Sequence, residues 1–410
     1  MANKNIKILY VLNKCPYPLF DGTRERIFGE IKFLSQEYML DVLITSTEKV
    51  TEDQLKHLKE ITSGKVYLFK ISIINAFINS LFGLFSKKPI QVSYFWYSKA
   101  KHWLATNANK YQSIYFHTIR NGKYIDMLKK EHLCENTKLF LSFNDAISLN
   151  YARAKEKATG IWKLIYTLEE SRVKNYEIFM LGIADGFSIV SIEDKNHILT
   201  NWQEKFPKEQ KPTIQLIRNG IKDEYLKFTY TGENKNLVFF GNLLYPPNRQ
   251  GLESFMRDIW PRILEKKPET KIIIIGRGGE IFKNVRNAEV MGFVEAPYET
   301  MCKQSALINP INFGAGVPTK VLLGMAIGIP VISYNAGIAG IENIENNKNI
   351  ILIEPNDITG SVEIICNILN NSNTRNEVSR NGRDLIIEKY LASKNYPDLG
   401  LLLTEKSTNS

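Results

Sequence analysis

Cysteine is scarce in this chain. Cys15, Cys134, Cys302 and Cys366 stand far apart, with no CxxC pair and no Cys/His ligand spacing. That speaks against a disulfide framework and against structural zinc, and it points to a reduced, cytoplasmic setting. Long apolar runs are also missing. A spanning helix needs roughly 18–20 apolar residues, and the nearest candidate, Ile71 to Ser86, is interrupted by Asn75, Asn79, Ser80 and Gly83. The N-terminal MANKNIKILYVLNK has only a short apolar stretch that runs into charge, so it reads as a first strand and not as a signal peptide. There is no Ser-His-Asp set, no evident carboxylate pair and no DxD motif.

What is present is ordinary in amount and uneven in place. The 410 residues are 44% hydrophobic and 23% charged, a globular composition long enough for two domains. The net charge of +10 is concentrated. Between Lys56 and Lys130 there are 13 Lys and Arg against only Glu60 and Asp126, which accounts for the whole excess. A basic region confined to part of one domain suggests a local anionic partner. Nothing in it resembles a nucleic-acid reader, so no nucleic acid is expected.

Short β-branched runs alternate with amphipathic stretches, the pattern of parallel sheets with crossover helices. Strands are predicted at Ile6 to Leu12, Leu40 to Thr45, Val66 to Phe69, Ser113 to His117, Lys138 to Phe143, Phe187 to Val190 and Thr213 to Ile217. A second set is predicted at Leu237 to Phe240, Lys271 to Ile275, Glu289 to Met291, Ala306 to Asn309, Pro330 to Ser333 and Asn349 to Ile353. Helices are expected over Glu25 to Ser35, Trp162 to Leu181, Asn248 to Glu265, Pro318 to Ile327 and from about Thr374 to Leu403. The polar stretch Asp223 to Lys235 reads as a connection. It gives a first domain over 1–218, a hinge over 219–235, a second domain over 236–385 and a closing helix and tail over 386–410.

Several segments carry candidate chemistry, each with a plainer reading beside it. In INPINFGAGVPTKVLLGMAIGIPVIS a strand leads through Gly314 and Gly316 into a helix opened by Pro318. Glycines before a helix N-terminus let the backbone approach a phosphate, and Lys320 adds a cation; the alternative is a simple turn with a surface lysine. Asp21, Gly22, Thr23 and Arg24 follow the first strand, as either an anion-facing turn or a helix cap with a surface arginine. In FNDAISL, Asn144 and Asp145 lie just past a strand end, where Asp145 is either a group that orients or deprotonates a hydroxyl or part of an Asx turn. His117 also ends a strand and is either a cleft residue or a structural one. On a helix, Ile74, Phe77, Ile78, Leu81, Phe82 and Phe85 share one face next to Lys87 and Lys88, which suits either an interfacial helix at an anionic membrane or packing on the protein's own sheet.

Taken in order, Gly241, Asn242, Pro247, Asn248, then DIWPRIL, IIIIGRGG, VMGFVE with Phe293, and the glycine loop with Ala315 and Val317 resemble the C-terminal domain of family 4 glycosyltransferases. IRNGIK, PYPLFDGTRERIFGEIKFL, KKPIQVSYF and FNDAISLNYAR add weaker matches upstream. The resemblance implies a GT-B architecture of two facing Rossmann-like domains with a cleft between them, and C-terminal helices that cross back. It implies a nucleotide-sugar donor, UDP- or GDP-linked, held mainly by the second domain, and a glycan or lipid-linked acceptor at the first. It also implies retention of configuration and no metal cofactor. The leaving diphosphate would then rest on the glycine loop, Lys320 and the arginines Arg249 and Arg277, each of which has an alternative as a solvated charge. One departure stands out. Where the family typically reads KVLEAMA, this chain reads KVLLGMA, which puts Leu323 in place of a glutamate that holds the donor ribose, and the family's other acidic position falls on Ala315. Leucine cannot accept a hydrogen bond. A catalytically silent GT-B partner is therefore the rival expectation.

Overall fold

A computed structural model describes residues 3–19, 22–312 and 317–404 of the chain. It divides into two compact units, one of Met1–Arg218 with Tyr396–Ser410 and one of Asn219–Asn395.

The first unit contains the strands β1 (Lys7–Leu12), β2 (Met39–Ser46), β3 (Val66–Lys70), β4 (Ser113–His117), β5 (Lys138–Asn144), β6 (Gly186–Ile189) and β7 (Ile214–Leu216). They form one sheet in the order β3-β2-β1-β4-β5-β6-β7, with every neighbouring pair parallel. The second unit contains β8 (Asn234–Phe240), β9 (Ile272–Ile275), β10 (Ala288–Gly292), β11 (Gln304–Asn309), β12 (Val331–Ser333) and β13 (Ile351–Leu352). Their order is β10-β9-β8-β11-β12-β13, again all parallel. Both sheets have helices on their faces because parallel strands are buried on two sides. Ile8 to Leu12 and Ile272 to Ile275 are accordingly apolar and buried at every position.

All thirteen predicted strands form. The helix expected over Asn248 to Glu265 is two helices, Pro246–Asp258 and Trp260–Lys266. Pro261, which has no N–H to donate, sits in the first turn of the second one, where none is needed. In the connection before β8, Tyr225 is buried and belongs to the second unit's core. The last helix, Ala392–Thr404, begins in the second unit, where Leu391 forms a bridge with Ile221. From Tyr396 it belongs to the first, where Leu399 and Leu403 join the cluster of Ile8, Tyr10 and Ile27. There the carbonyl of Leu403 accepts a 2.7 Å hydrogen bond from Ser113 Oγ.

Candidate functional site

In open parallel sheets, ligands collect beyond the strand ends where the strand order reverses. In the first unit that place lies between β1 and β4. The two strand ends are tied by amides: Asn121 Nδ2 donates to the His117 carbonyl at 2.7 Å and to Asn13 Oδ1 at 3.0 Å. Thr118 Oγ1 donates to the same Asn13 oxygen at 3.1 Å. Thr118 itself has φ 68° and ψ 151°, a region a β-branched residue enters only when its surroundings force it. At the end of β5, Asn144 is also left-handed, with φ 64°. Two adjacent strand ends thus turn sharply at the place where a ligand would bind.

Arg26, in the second turn of the helix Gly22–Glu37, reaches the end of β5. It is 2% exposed. Its Nε donates to Glu30 Oε1 at 2.7 Å and its Nη1 to Asn144 Oδ1 at 2.9 Å. Asn144 Nδ2 in turn donates to Asp145 Oδ2 at 2.7 Å. The other Glu30 oxygen accepts from the Tyr10 hydroxyl. A continuous line of hydrogen bonds therefore fixes the Asp145 carboxylate from the core outward. Burial, then the neighbouring Asp194 carboxylate, push the Asp145 pKa up to about 6, against the opposing pull of Asn144, Arg26 and Arg120. Burial, reinforced by Arg26, Lys14 and Arg120, holds His117 well below its ordinary value, so its imidazole is neutral at pH 7. Arg26 Nη2 and His117 Nε2 are buried and have no hydrogen-bond partner among the described residues. At the end of β5 the chain thus offers a carboxylate poised near neutrality, which suits a substrate hydroxyl.

The structure links the predicted Asn144 and Asp145, sets His117 at the end of the neighbouring strand β4, and adds Arg26, which sequence reasoning missed. Arg24 points elsewhere. Its Nη2 pairs with Glu48 at 2.7 Å and its Nε donates to the Cys15 carbonyl at 3.2 Å, while Gly22 and Thr23 simply open the helix. A signal for Arg26 did exist: it and Glu30 lie four residues apart on the side of the helix that Ile27, Ile31 and Leu34 bury. Opposite charges on a buried helix face mark a paired, purposeful site.

In the second unit the order reverses between β8 and β11. Past β8, Asn242 Oδ1 accepts from the Leu244 N–H at 3.0 Å, and the Asn242 carbonyl accepts from Asn248 Nδ2 at 2.8 Å. Asn248 Oδ1 accepts from Lys320 Nζ, also at 2.8 Å. Lys320 lies in the first turn of the helix Thr319–Ile327, with its ammonium 5.0 Å from the centre of the Phe239 ring. Burial lowers its pKa to about 7, and among the described residues no carboxylate pairs with it. A helix N-terminus beside a lysine that no carboxylate neutralises has the chemistry to receive an anion.

The remaining predicted donor residues divide. Gly314, Ala315 and Gly316, like Asp21 in the first unit, lie outside the described residues. Val317 is partly buried against the core, and Leu323 is buried within it beside Val321 and Leu322. Arg249 is exposed and pairs with Glu253 at 2.8 Å. Arg277 stacks its guanidinium 5.0 Å over the ring of Phe293, which is 60% exposed. Gly241 matters for its backbone. A Cβ on Gly276, whose φ is 144°, would come within 1.9 Å of the Gly241 carbonyl oxygen, so these two strand ends touch main chain to main chain. Gly276→Ala is expected to lower stability by at least about 2 kcal/mol, read as a lower urea midpoint.

Comparison with known proteins gives these strand-end clusters a context. The family model described as glycosyl transferases group 1 matches residues 234–371, the stretch that holds Asn242, Asn248 and Lys320. Over both units the chain superposes on TarM with a TM-score of 0.69 at 13% identity, covering 98% of this chain and 99% of that one. The fold is that of a GT-B glycosyltransferase. WaaG, a glycosyltransferase involved in lipopolysaccharide biosynthesis, matches with a TM-score of 0.63 at 14% identity over 97% of this chain and 100% of its own. A TarM variant from S. aureus was crystallised with UDP. In sequence, an uncharacterized 44.6 kDa protein in the cps region of Klebsiella pneumoniae is 25% identical over 409 residues, which is 95% of this chain and 97% of that protein. Residues 234–371 thus carry the group 1 glycosyltransferase signature on a GT-B fold.

Proposed function

We propose that the protein is a retaining glycosyltransferase of family 4 type that moves a hexosyl group from a nucleotide-diphosphate sugar to a glycan or lipid-linked acceptor in surface polysaccharide assembly. The observation that carries this reading is Lys320: a cation with a depressed pKa at a helix N-terminus, inside the segment that matches the group 1 model. A leaving diphosphate placed there accepts from the ammonium and the helix amides, so the charge that develops on departure meets donors already in position. This supports departure without a metal ion, because the cation is supplied by the chain. The UDP found with a TarM variant supports a UDP-linked donor, with GDP as the alternative.

At the first unit, Asp145 and His117 orient the acceptor hydroxyl, and Arg26 acts through Asn144 to position Asp145. Front-face attack, in which the departing phosphate takes the acceptor proton, gives retention and requires no protein nucleophile. Leu323 leaves the donor ribose without the family's glutamate, so the ribose rests on other groups of the second unit. We place the protein in the cytoplasm, working peripherally at the inner face of the membrane; among the described residues no helix is long and apolar enough to cross one.

Titration calorimetry with UDP and GDP tests the reading. Micromolar binding of one of them is expected, weakened by Lys320→Ala. Absence of measurable binding by the wild type would instead establish a silent GT-B partner.

A further inference from the structure

The helix Ile73–Leu84 buries only its small residues. Ala76 and Gly83 face inward, and a Cβ on Gly83 would stand 2.9 Å from Ser93, so the helix lies close against its neighbour there. Its large residues face out: Ile74, Phe77, Ile78, Leu81, Phe82 and Phe85 are all exposed, Phe85 at 92%. The packing expected of an ordinary surface helix is inverted here.

A second element continues this face. In the helix Gly160–Leu181, Ile161, Trp162, Leu164 and Leu168 are more than half exposed. Ile161, Leu164 and Leu168 follow the three-four spacing of one helix face, and the same line runs on to Arg172. Arg172 Nη2 donates to the Leu84 carbonyl at 2.7 Å and its Nη1 to Glu169 Oε1 at 3.0 Å. Glu169 Oε2 accepts from the Ile90 N–H at 2.8 Å. The exposed stripe of the second helix therefore starts where the first helix ends and extends about 16 Å from it, at 1.5 Å per residue.

The charge around this face selects its occupant. From Ile61 to Ile125 the chain has nine Lys and Arg and no Asp or Glu. Lys87 follows Phe85 and Lys163 lies between Trp162 and Leu164, both exposed. The nearby Asp126 is already neutralised by Lys88 and Lys130, at 2.8 and 3.0 Å. A second copy would set the same cations against each other, since a two-fold contact pairs a patch with itself. An anionic bilayer satisfies both features at once, taking the apolar side chains into its acyl boundary and the lysines among its headgroups.

We propose that Ile73–Leu84 with Phe85, and the first turns of Gly160–Leu181, form a single docking surface for an anionic lipid bilayer, with Trp162 seated at the lipid interface. The inference rests on the peripheral-membrane part of the function proposed above and not on the sugar chemistry. Full-length protein is tested on vesicles of equal phosphatidylglycerol and phosphatidylcholine, and on phosphatidylcholine alone, at low salt. Binding at least tenfold tighter to the anionic vesicles is expected. Phe82→Glu with Phe85→Glu, and separately Leu164→Glu with Leu168→Glu, should each weaken it at least tenfold while nucleotide binding by calorimetry stays unchanged, which confirms folding. Brominated lipids should quench tryptophan fluorescence in the wild type and far less in Trp162→Phe. Full binding by the Leu164/Leu168 variant together with undiminished quenching in Trp162→Phe would overturn the two-helix surface and leave the first helix as the anchor. No vesicle binding at all overturns the membrane reading as well, and a dimer dissolved by the Phe82/Phe85 variant would show that a second copy covers the face; nucleotide binding remains a separate measurement in every case.

Discussion

Lys320→Met is expected to make the protein more stable and unable to hold its donor. Losing one partner of a desolvated charge pair costs at least ~2 kcal/mol, so nucleotide affinity should fall about 30-fold or more. Stability should move the other way. The lysine has a pKa of about 7 in the fold and an ordinary, higher value when unfolded. Between those values the unfolded chain binds more protons, so folding strengthens as pH rises through this window and the lysine's cost is greatest at and below pH 7. Methionine keeps the aliphatic stem without the charge. The gain in melting temperature should therefore be largest near pH 6 and shrink toward pH 10. A bound diphosphate restores the proton, so wild-type UDP affinity should decline above about pH 7 with proton uptake measurable in buffers of different ionisation enthalpy. A variant no more stable than wild type, with unchanged UDP affinity, would remove Lys320 from the donor site.

Asp145→Asn should lower kcat by about 10²-fold, the scale for misplacing a reacting group, with UDP affinity unaltered because the proposed donor site lies in the other unit. The wild-type rate should rise with pH through about 6 as the carboxylate ionises, and the variant should lack that limb. Arg26→Lys gives a distinct signature. Lysine keeps the charge but lacks the planar fork that serves Glu30 and Asn144 together. With Asn144 released and the guanidinium's stabilising influence altered, the acid limb should shift as kcat falls. A merely structural Arg26 would cost stability and leave the pH profile in place.

How far the sequence reveals this molecule depends on the kind of interaction. The sheets are legible because strands buried on both faces are written as continuous β-branched runs, such as Ile272 to Ile275. His117, Asn144 and Asp145 are legible because a strand end is a place the chain itself marks. The Arg26 link is not, since it joins residues 118 positions apart through a tertiary contact. The left-handed turn at Thr118 is hidden for the same reason: β-branched residues carry no local signal for it. The exposed stripe of Ile161, Leu164 and Leu168 has the spacing of a buried helix face, and only the fold shows that more than half of each side chain stays open.

The closing helix has a consequence for biosynthesis. The first unit ends at Arg218 but takes Tyr396, Leu399 and Leu403 into its core. At about 5–20 residues per second, a ribosome needs on the order of 10–40 s to travel from one to the other. During that interval the nascent first domain exposes the apolar seat of a helix that does not yet exist. Its maturation is thus coupled to completion of the second domain, and chains stalled between the two are the species a chaperone or protease would meet.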